Sequence, residues 1–255
     1  MRVWLGTSGW QYRDWRGRFY PRELPQARWL EHYAARFRTV EVNNSFYRLP
    51  TAETFASWRA RTPDDFVFVV KASRYLSHVR RLQDPEDPVD IFVDRARHLG
   101  DKLGPILLQL PPTLAVERDR LARVLDRFGR HRVRVAVEFR HPSWFDEPVF
   151  EVLRAHDAAL VLADRRSHRS PQVQTASWSF VRLHEGTATP WPRYGTAALS
   201  SWVGRLAGEE AWVFFNNDPG GWAVANARSF GRLAERAGLD VTRFPAEPLR
   251  VARVA

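Results

Sequence analysis

The sequence predicts an α/β fold of parallel strand-helix units, and three observations lead to this prediction. Short apolar runs alternate with segments of helical spacing at a period of roughly 30 residues. Residues 66–70 and 106–108 are almost continuously hydrophobic, which is typical of parallel strands buried on both faces. Eight such units in 255 residues favour a closed barrel over an open sheet. We therefore predict a single (β/α)8 TIM-barrel domain over residues 1–255, with eight parallel strands.

The predicted elements follow the apolar patterns in chain order. Strands are expected at residues 3–6, 39–43, 66–71, 105–109, 133–138, 159–163, 179–183 and 211–215. Helices are expected at residues 27–37, 52–61, 89–103, 118–128, 148–156, 197–206 and 222–237. Residues 165–177 contain Pro171 and show no helical periodicity, so the sixth helix is predicted to be short or missing.

Composition and charge indicate a soluble cytoplasmic protein. The chain has no cysteine, which excludes a disulfide framework, and its first residues enter a strand rather than a signal peptide. No apolar run approaches the roughly 18 residues that a membrane span needs. The net charge of +10 is typical of polyanion binding. Only Lys71 and Lys102 are lysines, so a compositional bias toward arginine explains the charge equally well. The sequence leaves the oligomeric state open.

The fifth predicted strand carries the strongest candidate for a functional site. Side chains alternate along a strand, so Glu138 and Arg140 share one face, and Pro142 forces the strand to stop just beyond them. Working groups of such barrels lie at the carboxyl ends of the strands. The alternative is an ion pair that only plugs the barrel.

The same alternation places further polar residues at this end of the barrel. The predicted inward-facing set is Glu41, Asn43, Lys71, Gln109, Glu138, Arg140, Asp164, Arg182, His184, Asn216 and Asp218. A purely structural barrel end would carry fewer charges, because each buried ion costs several kcal/mol unless it is well paired. The sequence therefore predicts a binding or catalytic site here.

Roles follow from side-chain chemistry. The reference pKa of histidine lies near neutrality, and Glu138 is the best carboxylate partner for His184, so both residues are predicted to transfer protons, with Lys71 and Asp218 as further catalytic residues. Anion-holding groups are Arg140, Arg182 and Lys71, and the other predicted substrate-binding residues are Glu41, Asn43, Gln109, Asn216, Tyr47 and Trp144. The leading hypothesis is an enzyme, without cofactor or metal, that acts on a small polar or anionic substrate, phosphorylated or sugar-like. A hydrolase, a lyase and an isomerase all stay open.

Lys71 stands out because lysine is rare in this chain. Two of the 39 basic residues are lysines, yet one is expected at the end of the third strand, facing the site. The pKa of a lysine falls on desolvation, which permits proton transfer or Schiff-base chemistry. There are two alternative explanations for a lysine at this position: it occurs there by chance, or the barrel is too narrow for a guanidinium.

Three other hypotheses remain open at this stage. A divalent metal could bind Glu138, His184 and Asp218, although the cations of the same mouth would repel it. A nucleic-acid-binding or phosphodiester-processing protein would use the basic residues Arg48, Arg74, Arg80, Arg81, Arg165, Arg166 and Arg169. A non-catalytic metabolite-binding protein would use the same mouth without turnover.

Six motifs resemble a known family. They are residues 6–10 (GTSGW), 40–50 (VEVNNSFYRLP), 109–112 (QLPP), 138–144 (EFRHPSW), 182–184 (RLH) and 215–218 (FNND). The resemblance is to the YecE-like family, domain of unknown function 72, and spans residues 3–233. It implies a TIM barrel similar in outline to sugar isomerases and endonuclease IV-like enzymes, and it implies no particular reaction. The matching site positions are Glu41, Asn43, Lys71, Gln109, Glu138, Arg140, His184, Asn216 and Asp218.

Overall fold

The computed structural model describes residues 1–164, 170–186, 192–249 and 251. Nine parallel strands form one curled sheet in the order β2-β3-β4-β5-β6-β7-β8-β1-β9. The strands are β1 (Arg2–Thr7), β2 (Thr39–Val42), β3 (Val67–Lys71), β4 (Leu103–Gln109), β5 (Val135–Glu138), β6 (Ala159–Asp164), β7 (Ser179–Leu183), β8 (Glu210–Phe215) and β9 (Asp240–Val241). The fold is therefore α/β and TIM-barrel-like, and all eight predicted strands are found near their expected positions.

The prediction of a closed, eight-stranded barrel is wrong in two respects. A ninth strand of two residues pairs with the start of β1, and among the described residues no backbone ladder joins β1 to β2. A tyrosine hydroxyl takes the place of that ladder: Tyr33 accepts from Thr7 N at 3.0 Å and donates to Thr39 O at 3.1 Å. At Gly6 a Cβ would lie 2.5 Å from Thr39 O, so the two strands approach closely without pairing.

Helices separate most of the strands. They are α1 (Trp29–Ala34), α2 (Asn44–Tyr47), α3 (Ala52–Ala60), α4 (Glu86–Ala96), α5 (Arg118–Arg130), α6 (Glu147–Ala155), α7 (Thr196–Val203) and α8 (Trp222–Arg236). Between β6 and β7, the described residues 170–178 contain no helix, and residues 165–169 lie outside the described part. None of the described helices is long and apolar enough to span a membrane.

Helical periodicity explains how the outer layer packs. In α5, Leu121, Val124, Leu125 and Phe128 recur at helical spacing and are buried in the main core between sheet and helices. The basic residues of α5 lie on its other faces, where Arg127 pairs with Asp90 of α4. The helices thus cover the sheet with an apolar stripe and leave charge outside.

The lumen of the sheet changes character along the strands. Its amino-terminal part is a second apolar cluster that includes Phe180 and Phe214, and in it Trp4 and Trp212 stack at 4.7 Å. Two residues further along each strand, the next inward-facing side chain is polar. On β7 Arg182 follows Phe180, on β3 Lys71 follows Val69, on β4 Gln109 follows Leu107, and on β5 Glu138 follows Ala136. Apolar side chains therefore close one end of the lumen, and charged side chains gather at the carboxyl end.

Candidate active site

Five polar side chains from five strands meet at the carboxyl end of the sheet. All five are buried: Glu41, Lys71, Gln109, Glu138 and Arg182. The strand register brings neighbours side by side, since Gln109 of β4 pairs with Glu138 of β5. Strand alternation predicts each of these positions, and the structure brings them together.

Arg182 links the two glutamates. Its Nε and Nη2 donate to the two carboxylate oxygens of Glu41 at 2.8 and 2.7 Å, and its Nη1 donates to Glu138 Oε2. Burial would lower the pKa of Arg182, but the two carboxylates outweigh burial and raise it above its ordinary value. Arg182 is 1% exposed and bonds the protein's own carboxylates. This geometry assigns it to holding Glu41 and Glu138, while its role in binding a substrate stays a prediction.

Glu138 is shared between two arginines. Its Oε1 accepts from Arg140 Nε at 3.1 Å while its Oε2 accepts from Arg182. Burial would raise the pKa of Glu138, but the charges of Arg182, His184 and Arg140 lower it well below its usual range. Glu138 therefore stays ionised at neutral pH and is a weak proton acceptor. Its proton-transfer role stays a prediction that this electrostatic environment does not favour.

Arg140 reaches from this network toward solvent. Its side chain is partly exposed, and in the described part of the chain only its Nε has a hydrogen-bonding partner, Glu138. The two terminal nitrogens of the guanidinium are therefore available to an incoming ligand. A planar fork of this kind suits a carboxylate or a phosphate.

Lys71 has an unusual environment for a buried cation. Its Nζ donates to the neutral amide oxygen of Gln109 at 2.7 Å and lies 4.3 Å from the ring centroid of Phe46. No carboxylate of the described residues lies within 4.0 Å of Nζ. Burial, assisted by the charge of Arg182, lowers the pKa of Lys71 to about 7, although Glu41 and Glu138 oppose the shift. A large fraction of Lys71 is therefore a neutral amine near neutral pH.

Phe46 and its neighbours are site residues that the predicted set lacks. Ser45 of α2 donates to the carbonyl oxygen of Lys71 at 2.7 Å, which fixes the turn that carries Phe46 over the ammonium. The ring of His78 meets Phe46 edge-on at 4.9 Å. Burial and the charges of Lys71, Arg140 and Arg74 lower the pKa of His78 to about 4. We call Lys71, Arg74, His78 and Arg140 the cationic cluster; its permanent charges are those of Arg74 and Arg140.

A second group of polar residues follows β7 and β8. Asn216 Nδ2 donates to His184 Nδ1 at 2.8 Å, so a neutral His184 carries its proton on Nε2. Asp218 Oδ1 is buried and has no hydrogen-bonding partner among the described residues. Burial, with the charges of Asp14 and Glu41, raises the pKa of Asp218 to about 8, while Tyr12 opposes the shift. Much of Asp218 is therefore a neutral acid at neutral pH.

Three further predicted substrate-binding residues, Trp144, Asn43 and Tyr47, differ in their surroundings. Trp144 is fully buried, stacks on Phe139 at 4.8 Å and donates from its indole nitrogen to Leu114 O at 2.7 Å, so it packs a loop and does not face the mouth. Asn43 precedes α2 and makes no capping hydrogen bond with its side chain. Tyr47, at the end of α2, is 81% exposed and belongs to the rim.

The metal and polyanion hypotheses gain little from the geometry. Among the described residues, no group of three or more His, Asp or Glu side chains is arranged to hold a metal ion. Of the arginines proposed for nucleic acid, Arg80 pairs with Asp84, and Arg81 donates to Thr113 O at 2.8 Å. Arg165, Arg166 and Arg169 lie outside the described residues.

Comparisons with known proteins agree with the motifs. The family model described as "Protein of unknown function DUF72" matches residues 4–249. The UPF0759 protein YunF of Bacillus subtilis is 26% identical over 91% of this chain and 95% of its own length. The UPF0759 protein YecE of Escherichia coli K12 is 38% identical over 46% of this chain and 43% of its own length.

Solved structures show the same likeness. The crystal structure of a DUF72 family protein from Thermotoga maritima matches with a TM-score of 0.77 and 28% identity, over 92% of this chain and all of that chain. D-psicose 3-epimerase of Clostridium cellulolyticum shares the fold alone, with a TM-score of 0.53 and 12% identity over 93% of this chain and 96% of its own. Because the family model covers nearly the whole sequence, this chain belongs to the DUF72 family.

Proposed function

We propose that the protein is an enzyme that binds a small organic anion at the carboxyl end of the sheet and transfers protons to and from it. One observation carries the proposal: Lys71 is buried at the mouth with a neutral amide and an aromatic ring as partners instead of a carboxylate. A buried ammonium usually has a counter-ion. In its protonated form Lys71 attracts an anionic ligand, and in its neutral form it supplies a base.

The cationic cluster binds the anionic group of the substrate. Arg140 keeps its Nε on Glu138 and directs its remaining donors to a phosphate or carboxylate oxygen. The charge of Arg140 also lowers the pKa values of both Lys71 and His78, and the ring of Phe46 contacts both of these residues. Arg182 holds Glu138, and Glu138 in turn holds Arg140.

Two groups of opposite protonation state supply the chemistry. The neutral form of Lys71 removes a proton from the substrate, and the protonated carboxyl of Asp218 donates one to a developing oxyanion. The charge of Glu41 raises the pKa of both groups. A base on β3 and an acid in the segment after β8 suit an isomerisation or an elimination next to a carbonyl or hydroxyl group.

Deuterium exchange tests this function across several classes of small anion at once. Wild-type protein in D2O is incubated with phosphorylated sugars, sugar acids and keto acids, and NMR follows exchange at carbon. We expect exchange in at least one compound, its loss in Lys71→Met and its strong reduction in Asp218→Asn, with both variants still folded by circular dichroism. Binding of such anions without exchange or turnover would favour the metabolite-binding alternative. Failure to bind any of them, with salt-dependent binding of an oligonucleotide instead, would favour the nucleic-acid alternative.

A further inference from the structure

A groove beside the cationic cluster has no role in the site described so far. Its volume is about 680 Å³, within the range of roughly 300–1,000 Å³ that small-molecule sites occupy. Tyr47, Tyr75, Val79 and Ile91 line it and are four of the six large hydrophobic residues with high exposure in the described chain. Tyr75, Val79 and Ile91 are 54%, 57% and 52% exposed. Concentrated apolar exposure of this kind marks a binding surface.

The backbone around this groove is unusual. Residues Tyr75–Val79 form a π-helix, a form that occurs in short pieces and often at functional sites. Immediately afterwards Arg81, Leu82 and Asp84 adopt φ values of 50°, 65° and 39°, a region that side chains other than glycine rarely enter. Three strained residues within four positions need the support of the surrounding structure, and strain of this kind clusters at ligand sites.

Phe46 connects the groove to the cationic cluster. One contact of its ring is with Lys71 Nζ at 4.3 Å, and another is with the exposed ring of Tyr47 at 5.1 Å. Arg74 belongs to both features, since it lines the groove and its charge lowers the pKa of His78. A ligand of modest size therefore spans both. Arg80, the other arginine of the lining, is paired with Asp84, so the positive charge at the groove lies toward the cluster.

We infer that this groove holds the ring of the substrate, which is a small organic anion with a planar, unsaturated body. The anionic group lies on the cationic cluster, and the ring lies between the exposed tyrosines, where flat faces stack favourably. This inference rests on the proposed function, because it uses the same anion position. It adds the class of substrate and identifies Tyr47, Tyr75 and Ile91 as specificity-determining residues.

Two probes test the inference by calorimetry at pH 5, where both are largely monoanions. Inorganic phosphate reports the cationic cluster alone, and phenyl phosphate reports the cluster and the groove. We expect phenyl phosphate to bind wild-type protein about tenfold more tightly than phosphate does, since burying roughly 60 Å² of ring surface corresponds to that factor. Tyr75→Ala and Ile91→Ala should remove the advantage and leave phosphate affinity unchanged. Val116→Ala is the matched control, because Val116 is an exposed apolar residue that does not line the groove.

The outcomes separate the inference from the function on which it rests. If both probes bind equally and Arg140→Ala weakens both, the anion site stands and the groove inference is overturned. If neither probe binds, both are overturned. A dimer that Ile91→Asp dissociates in sedimentation experiments would also overturn the inference, because a second copy of the chain would then cover the groove.

Discussion

Lys71 donates to Gln109 at 2.7 Å, and both side chains are buried next to a network in which every neighbouring carboxylate already accepts from an arginine. The amide oxygen satisfies one proton of the ammonium without neutralising its charge. Burial therefore favours the amine, and an anion near Nζ would favour the ammonium. Both protonation states of Lys71 are therefore accessible near neutral pH, and this is why we propose that Lys71 takes part in proton transfer.

Substitution of Lys71 separates a chemical role from a steric one. Lys71→Met removes a buried cation but leaves the Gln109 amide without its donor, so the free energy of unfolding should change by no more than about 2 kcal/mol. Turnover and anion binding should be lost. Lys71→Arg should destabilise the protein, because it brings a larger, planar and permanently charged guanidinium to a buried position that contacts Gln109 and Phe46. Urea denaturation measures the stability of each variant, and calorimetry of anion binding measures its function. Wild-type behaviour of both variants would remove Lys71 from the site.

Arg140 is expected to bind the anion through its guanidinium plane. Arg140→Lys keeps the charge but loses the fork, so affinity for inorganic phosphate should fall about five- to tenfold. Calorimetry at fixed ionic strength measures the loss. Unchanged affinity would show that Arg140 serves only Glu138.

Arg182 should contribute to stability more than any exposed arginine. Arg182→Met leaves Glu41 and Glu138 buried without their shared cation, which should cost about 3–5 kcal/mol of unfolding free energy. Arg2→Met, which breaks the exposed pair with Asp240, is the control and should cost less than about 1 kcal/mol. Equal losses in urea denaturation would contradict this structural role.

The pH dependence of the Arg182 effect has a defined sign. In the wild-type protein the pKa of Glu138 is lowered, so its contribution to stability is present above the pKa of the unfolded chain and is lost as pH falls toward the folded value. Arg182 is the charge that most strongly opposes the effect of burial on Glu138, so the pKa of Glu138 should rise when Arg182 is removed. The loss of unfolding free energy in Arg182→Met, relative to the wild-type protein, should therefore become smaller as the pH falls from 7 to 5. A loss that becomes larger over this interval would contradict the role of Arg182 in stabilising the ionised Glu138.

Activity should follow a bell-shaped pH profile once a substrate is found. The base must be deprotonated and the acid protonated, so kcat/KM should rise as Lys71 loses its proton near pH 7 and fall as Asp218 ionises near pH 8. Asp218→Asn should abolish the alkaline limb in the residual activity. An alkaline limb that survives this substitution would assign the acid to another group.

Alternation along strands is local, and it explains what the sequence could predict. Each of β3, β4 and β5 places its last polar residue inward two positions beyond an apolar one, so Lys71, Gln109 and Glu138 follow from periodicity alone. The pairing of Arg182 with Glu41 joins residues 141 positions apart and depends on how far the sheet curls. The alternation of residues within one strand carries no information about which residues of distant strands will meet.

Other features escaped prediction for physical reasons of their own. β9 has two residues, too few for a periodic signal, and the bridge that Tyr33 makes between β1 and β2 depends on the packing of α1. The role of Lys102 is also a matter of packing. Its Nζ donates to Arg59 O and Thr62 O, both at 2.7 Å, so the second lysine is a buried structural donor.

Because the chain has only two lysines, NMR can observe Lys71 directly. Lysine labelled with ¹⁵N at Nζ and ¹³C at Cε gives two signals, and Lys71→Met assigns them. Our account predicts that the Lys71 signal titrates near pH 7 and that saturating inorganic phosphate raises its pKa, because a bound anion favours the ammonium. Lys102, which is held by backbone carbonyls at the entry to β4, should not respond to phosphate. If the pKa of Lys71 lies near its ordinary value of 10.5 and does not change when phosphate is added, the central claim that this residue forms a reactive anion site is contradicted.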